Sequence, residues 1–135
     1  MSALEERLLK ESKKIAIVGL SKKEEKISNI IANYLDSQGY DIIPVNPNYS
    51  EVLNKKCYPS LSDIPRDYEI DLVNIFRPSE EVQPIVKEAI TLNIVGIWLQ
   101  QGIKDEDSWE LAAEHNIPMV MDKCIMTYHK ALRGF

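Results

Sequence analysis

A chain of 135 residues is one domain's worth of protein, large enough to bury a core unaided and too short for two full domains. Its composition, 44% hydrophobic and 27% charged, excludes global disorder, and no stretch approaches the 18 consecutive apolar residues of a membrane-spanning helix. A net charge of −5 argues against non-specific nucleic-acid binding but leaves room for a local basic cluster around a small anion.

The opening residues MSALEERLLKESKK are charged throughout and lack the apolar segment and cleavage site of a secretory signal. They predict a short amphipathic helix with Leu4 and Leu8 inward, a helical extension over residues 1–13 before a domain at 14–135. A β-branched run at 14–20 (KIAIVGL) predicts the first strand. Ile27, Ile30, Ile31, Tyr34 and Leu35 then recur at helical spacing, with Ser28 near the start and Gly39 at the C′ stop. The second strand is expected at 41–46 (DIIPVN), although Pro44 removes a ladder donor. Residues 51–65 predict a long irregular connection with one helical turn at 60–64. A third strand follows at 70–76 (IDLVNIF). Val82, Ile85, Val86, Ala89 and Ile90 predict the next helix, with Ser79 as N-cap and Glu80 and Glu81 in its first turn. The fourth strand falls at 94–99. A helix capped by Asp105 then runs to about His115, with Trp109, Ala112 and Ala113 inward. The fifth strand is expected at 117–121, before a terminal helix.

Near-continuous apolar strands alternating with helices predict a single doubly wound, Rossmann-like α/β domain: a five-stranded, mainly parallel sheet with helices on both faces. Ligands of such sheets lie beyond the carboxyl ends of the strands, where strand order reverses. The strand-end loops therefore hold the candidate residues. Gly19 permits close backbone approach and leads into a helix N-terminus suited to phosphate, with Ser21, Ser28, Lys22, Lys23 and Lys26 as further donors or charges. A turn glycine followed by a solvated Lys/Glu loop is the alternative. A full GxGxxG fingerprint is absent. Asn46 stands where an acidic residue would hold an NAD ribose, which disfavours NAD. Arg77 matches phosphate oxygens bidentately, unless a salt bridge to Glu80 or Glu81 occupies it.

The stretches IAIVGLS, GYDIIPVNPN, CYPSLSDIP, DLVNIFRPSEEV, IWLQQGI and VMDKC together resemble the stand-alone CoA-binding domain proteins over about residues 14–128. That fold is similar to the CoA-binding half of the succinyl-CoA synthetase α-subunit. The resemblance implies coenzyme A or an acyl-CoA lying across the strand ends. Gly19, Leu20, Ser21 and Lys22, with Ser28, would face the phosphates, and Asn46 and Pro47 would border the adenosine. Arg77, Ser79 and Val82 would line the opposite wall, with Gln100 and Gly102 toward the pantetheine arm. The loop KKEEK stands where many relatives carry a proline-containing loop of small residues.

No catalytic constellation and no metal site is visible. His115 and His129 have no adjacent acid in a recognisable motif, and read as structural residues. Cys57 and Cys124 are too far apart for a CxxC pair, which points to a reducing cytoplasm; Cys124 reads as buried and inert rather than as a thiol partner of CoA. The expected role is a non-catalytic CoA-binding protein with a small-molecule ligand, no nucleic acid and no membrane. A component of an acyl-CoA ligase, a NAD(P)-binding oxidoreductase-like protein, or an interaction domain that has lost its ligand are the alternatives. A protein partner is left open.

Overall fold

The β-branched runs cannot stand alone in water, and they pair into one sheet. A computed structural model describes residues 3–134; the expected domain limits at residues 1 and 135 lie outside the described residues. The chain forms α1 (Ala3–Glu11), β1 (Lys14–Val18), α2 (Ile27–Ser37), β2 (Asp41–Val45), a hairpin of β3 (Glu51–Val52) and β4 (Lys55–Lys56), and β5 (Leu72–Ile75). After these come α3 (Val82–Ala89), β6 (Gly96–Leu99), α4 (Glu106–Glu114), β7 (Met119–Val120) and α5 (Ile125–Arg133). The main sheet is parallel in the order β2-β1-β5-β6-β7, so the doubly wound expectation is met. Strand order reverses between β1 and β5. No helix among the described residues is long and apolar enough to cross a membrane.

Alternating residues of the sheet feed two cores. Ala16, Val18, Val73, Ile75, Ile97 and Leu99 pack against α3 and α4 through Val82, Val86, Ala89 and Ala112. Ile15, Ile17, Leu72, Trp98 and Val120 pack against α1, α2 and α5 through Leu8, Leu9, Ile31, Leu35 and Ile125. The N-terminal helix is therefore no appendage: Leu8 and Leu9 are fully part of the second core, whereas Leu4 is only half-buried.

Every strand is shorter than its apolar run, because ladder pairing with a neighbour, not hydrophobicity, sets its length. β1 stops at Val18, where Gly19 turns away with φ +86°. Pro44 is tolerated because β2 is an edge strand. Its carbonyl accepts from Tyr58 N at 3.0 Å on the outer edge, so the missing N–H also falls outside the ladder with β1. The irregular stretch contains the β3–β4 hairpin, which the sequence reading missed, and a 3₁₀ turn at Leu61–Asp63 where one helical turn was expected.

Three helix readings are corrected. Ser28 does lie near the start of α2, whose N-cap is Lys26, but Ile27 and Ile30 are 57% and 44% exposed although they share the helical spacing of buried Ile31 and Leu35. Ser79 does not cap α3; a 3₁₀ turn at Ser79–Glu81 precedes that helix, which ends one residue before Ile90. Trp109 and Ala113 point outward from α4, leaving Ala112 and Ser108 as its buried residues. Asp105 caps α4 as expected, accepting from Ser108 N.

Gly19 joins the two halves of the sheet at their reversal point. A Cβ there would lie 2.7 Å from Phe76 O and 2.9 Å from Arg77 Cδ, in a backbone conformation that L side chains rarely adopt. Gly19→Ala should therefore lower unfolding free energy by about 2 kcal/mol or more, read as a fall in the denaturant midpoint. A second test concerns α5. His129 is 4% exposed, places Nδ1 2.7 Å from Tyr34 Oη, and meets the ring edges of Tyr34 and Tyr40. Burial first, and then the positive charge of Arg133, lowers its pKa from 6.5. The unfolded chain thus binds a proton below pH 6.5 that the folded chain resists, and the stability present above that pH is lost as pH falls. The melting temperature should drop between pH 6.5 and 5, and more shallowly for His129→Gln than for the parent.

Candidate functional site

The carboxyl ends of β1, β2 and β5 are tied together by short polar links. Gly19 N donates to Val45 O at 2.8 Å, and Asn46 Nδ2 donates to Leu20 O at 3.1 Å. Asn46 Oδ1 accepts from Asn48 N at 2.9 Å, so this one amide closes its own turn and anchors it to the loop after β1. Ser21 N donates to Ser28 Oγ at 3.0 Å, and Asn29 Nδ2 donates to Ser21 O at 2.8 Å. These bonds fold the 19–26 loop back onto the first turn of α2, whose N-cap Lys26 supplies no side-chain cap.

Two depressions open at these strand ends. A cavity of about 230 Å³ lies between Gly19, the 45–48 turn, Pro59–Leu61 and one face of α3. Arg77, Glu81, Ile85 and Glu88 form its far wall. On the other side of the sheet, a more apolar groove of about 500 Å³ is lined by Ile27, Ile31, Phe76, Pro78, Ile103 and Cys124, with Gln100 and Gln101. Arg77 borders both, and among the described residues it is the only cation lining either. It sits at the reversal between β1 and β5, the place where the open-sheet rule puts a ligand. Another depression, of similar size to the groove, lies among Ile64–Arg66, Glu69–Asp71 and Thr91–Asn93 near the amino ends of the strands, away from this crevice.

The structure divides the expected site residues into groups. Gly19, Asn46, Pro47 and Arg77 meet around the cavity, and Arg77 and Gln100 border the groove. Leu20, Ser28 and Val82 are buried beneath the surface, where Leu20 and Val82 fill the cores and Ser28 fixes the loop. Ser79 Oγ accepts from Lys104 N at 3.0 Å, and Gly102 N donates to Asp122 Oδ1 at 2.7 Å. Both residues join neighbouring strand-end loops without lining either depression. Ser21 Oγ accepts from Lys23 N within its own loop, and Lys22 is exposed.

Arg77 is engaged: its Nη2 lies 2.9 Å from each carboxylate oxygen of Glu81, the salt bridge that the sequence left open. Glu88 is held by Ser62, whose backbone N and Oγ donate to Oε2 at 3.2 and 2.5 Å. Glu81, at the N-cap of α3, and Ile85 and Glu88 on it stand at i, i+4 and i+7, a stripe of which the sequence reading singled out Glu81 and Ile85 but not Glu88. The Pro59–Leu61 wall lies within CYPSLSDIP, one of the stretches that carry the resemblance, but was not assigned to the site.

Gln100, 3% exposed, is locked from two sides. Its Oε1 accepts from Ile125 N, which obliges Nε2 to donate to Asn74 Oδ1 at 2.6 Å and leaves Asn74 Nδ2 without a protein partner. Cys124, expected buried, is half-buried and borders the groove at the start of α5. Cys57 is buried beneath Asn46, and desolvation pushes its thiol pKa up, against nucleophilic reactivity. His115 ends α4 with Nδ1 3.0 Å from Leu111 O, remote from both depressions.

The chain matches the CoA binding domain family over residues 13–130. It is 37% identical over 122 residues to YneT, an uncharacterized protein of Bacillus subtilis, covering 90% of this chain and 89% of that one. It is 31% identical over 121 residues to the ADP-forming acetate–CoA ligase of Methanocaldococcus jannaschii, covering 84% of this chain but only 17% of the ligase. A hypothetical protein from Pyrococcus horikoshii OT3 superposes with a TM-score of 0.91 at 38% identity, covering 96% of this chain and 90% of that chain. A Thermus thermophilus structure does so with a TM-score of 0.90 at 32% identity, covering 98% and 99%. The strand-end motifs and the match over nearly the whole chain agree: this protein belongs to the CoA binding domain family, homologous to the CoA-binding part of ADP-forming acetate–CoA ligases.

Proposed function

We propose that this chain is a non-catalytic binding protein for coenzyme A or an acyl-CoA, held across the carboxyl ends of the parallel strands. The observation that carries the reading is Arg77, the sole cation among the described residues that line a small cavity and a larger, more apolar groove, at the junction of the two. Coenzyme A has the matching layout: a nucleotide, a strongly anionic middle and a slender arm. The depressions accommodate that order. The cavity takes the adenosine beside Asn46 and Pro47, Arg77 meets phosphate, and the arm follows the groove past Phe76 and Gln100.

In this arrangement Gly19 and Asn46 shape the floor, while Leu20, Ser28 and Val82 support it from within. Exposed Lys22 adds charge at the rim. Ser79 and Gly102 hold the loops that border the arm's path. Nothing in this proposal transfers a group or a proton; the residues bind and orient. The reading carries a cytoplasmic location with it, supported by the free thiols of Cys57 and Cys124.

The match to a segment of acetate–CoA ligases favours a second reading, in which the chain serves as the CoA-binding component of a larger acyl-CoA ligase assembly. Co-purification of a ligase subunit would favour it.

Titration calorimetry with CoA tests the first reading. Binding is expected, and Arg77→Ala should weaken it about tenfold, the loss of one charge-assisted contact. No heat at millimolar CoA, or NADH binding tighter than CoA, would overturn it. A Gly19 substitution is a poor probe of the site, since strain and the clash with Phe76 perturb the fold in any case.

A further inference from the structure

We propose that Glu81 is an internal competitor for Arg77, which holds the guanidinium through Nη2 until a phosphate displaces it and so biases the site toward multiply charged ligands. The proposal rests on the reading of this crevice as a CoA site. Arg77 and Glu81 both line the cavity, and their side chains are 43% and 48% exposed, open to an arriving anion. The contact uses one nitrogen: Nη2 meets both carboxylate oxygens at 2.9 Å, while Nε and Nη1 have no hydrogen-bond partner among the described residues. Both paired-donor edges of the guanidinium, Nε–Nη2 and Nη1–Nη2, include the nitrogen Glu81 holds, so a bidentate phosphate must displace the carboxylate.

Among the described residues nothing else fixes the Glu81 carboxylate. Its hydrogen bonds all run to Arg77, in contrast to Glu88, which Ser62 holds by two donors. The two partners are four residues apart across the Ser79–Glu81 turn, so the pair dissolves by side-chain rotation without moving the backbone. The cavity lining sets one cation against two carboxylates, which makes it inhospitable to an anion while the pair persists. A ligand of low charge gains too little from Arg77 to displace Glu81. A diphosphate or phosphomonoester gains a charge-assisted bidentate contact and does displace it.

An exposed pair of this kind is weak, so its release changes affinity only about two- to fivefold. Calorimetry with CoA on the parent, Glu81→Gln, Arg77→Ala and the double variant reads that change. Glu81→Gln should bind CoA about threefold more tightly than the parent, and Glu81→Ala should do the same. In the Arg77→Ala background the gain should vanish. An equal gain in both backgrounds would mean that Glu81 acts by long-range repulsion alone and would overturn the competition. Unchanged or weaker binding of both Glu81 variants, with Arg77→Ala still weakened, would overturn it and leave the CoA site standing. An Arg77→Ala variant that binds CoA as the parent does would remove the site itself.

Discussion

The architecture depends on the absence of a side chain at Gly19. β1 must end beside β5, and the chain leaving β5 must cross that end closely enough for Phe76 O and the Arg77 stem to occupy the space of a Cβ. A glycine with φ +86° meets both demands in one residue. The consequences spread outward. Gly19 N reaches Val45 O, which aligns the end of β2, and Arg77 is carried to the seam between the two depressions. A backbone close approach therefore positions the principal charge of the site.

Around that point, the polar side chains at the strand ends divide into those that build and those that face outward. Asn46, Ser28, Asn29, Ser79 and Gln100 spend their hydrogen bonds on loops. Arg77 is the cation among the described residues lining the crevice, and it keeps Nε and Nη1 free there, with Glu81 as the present companion of Nη2. The division follows from the loops themselves. Each turn leaves backbone groups that the ladder cannot satisfy, and nearby short polar side chains are the cheapest partners.

Much of the fold was legible because apolar period and burial coincide in a sheet covered on both faces. All five main strands lie within their β-branched runs, and α2, α3 and α4 appear where the helical spacing put them. The failures have physical causes. Ile27 and Ile30 keep the spacing of a buried face but stand exposed, Ile27 at the groove, so periodicity alone misjudged them. The hairpin at Glu51–Lys56 has two-residue strands, too short for any period to register. At the site, sequence supplied the strand-end loops and thus Gly19, Asn46, Pro47 and Arg77. It did not supply the Pro59–Leu61 wall, which arrives from an irregular segment, nor distinguish a serine that faces a ligand from one that closes a loop. Those distinctions depend on long-range hydrogen bonds, which have no local signature.

The placement of Pro44 has a consequence for how this protein meets its own copies. An open sheet risks recruiting foreign strands along its borders. On the β2 side, Pro44 withholds a donor while Tyr58 pairs with the outer backbone, so an incoming strand finds the ladder already spoken for. On the far side, β7 offers two residues, too little for stable continuation. Both borders are blunted, and the sheet is closed to growth without being closed into a barrel. Strand addition at either border is thereby disfavoured, which leaves the crevice at the strand ends clear of strand-mediated stacking.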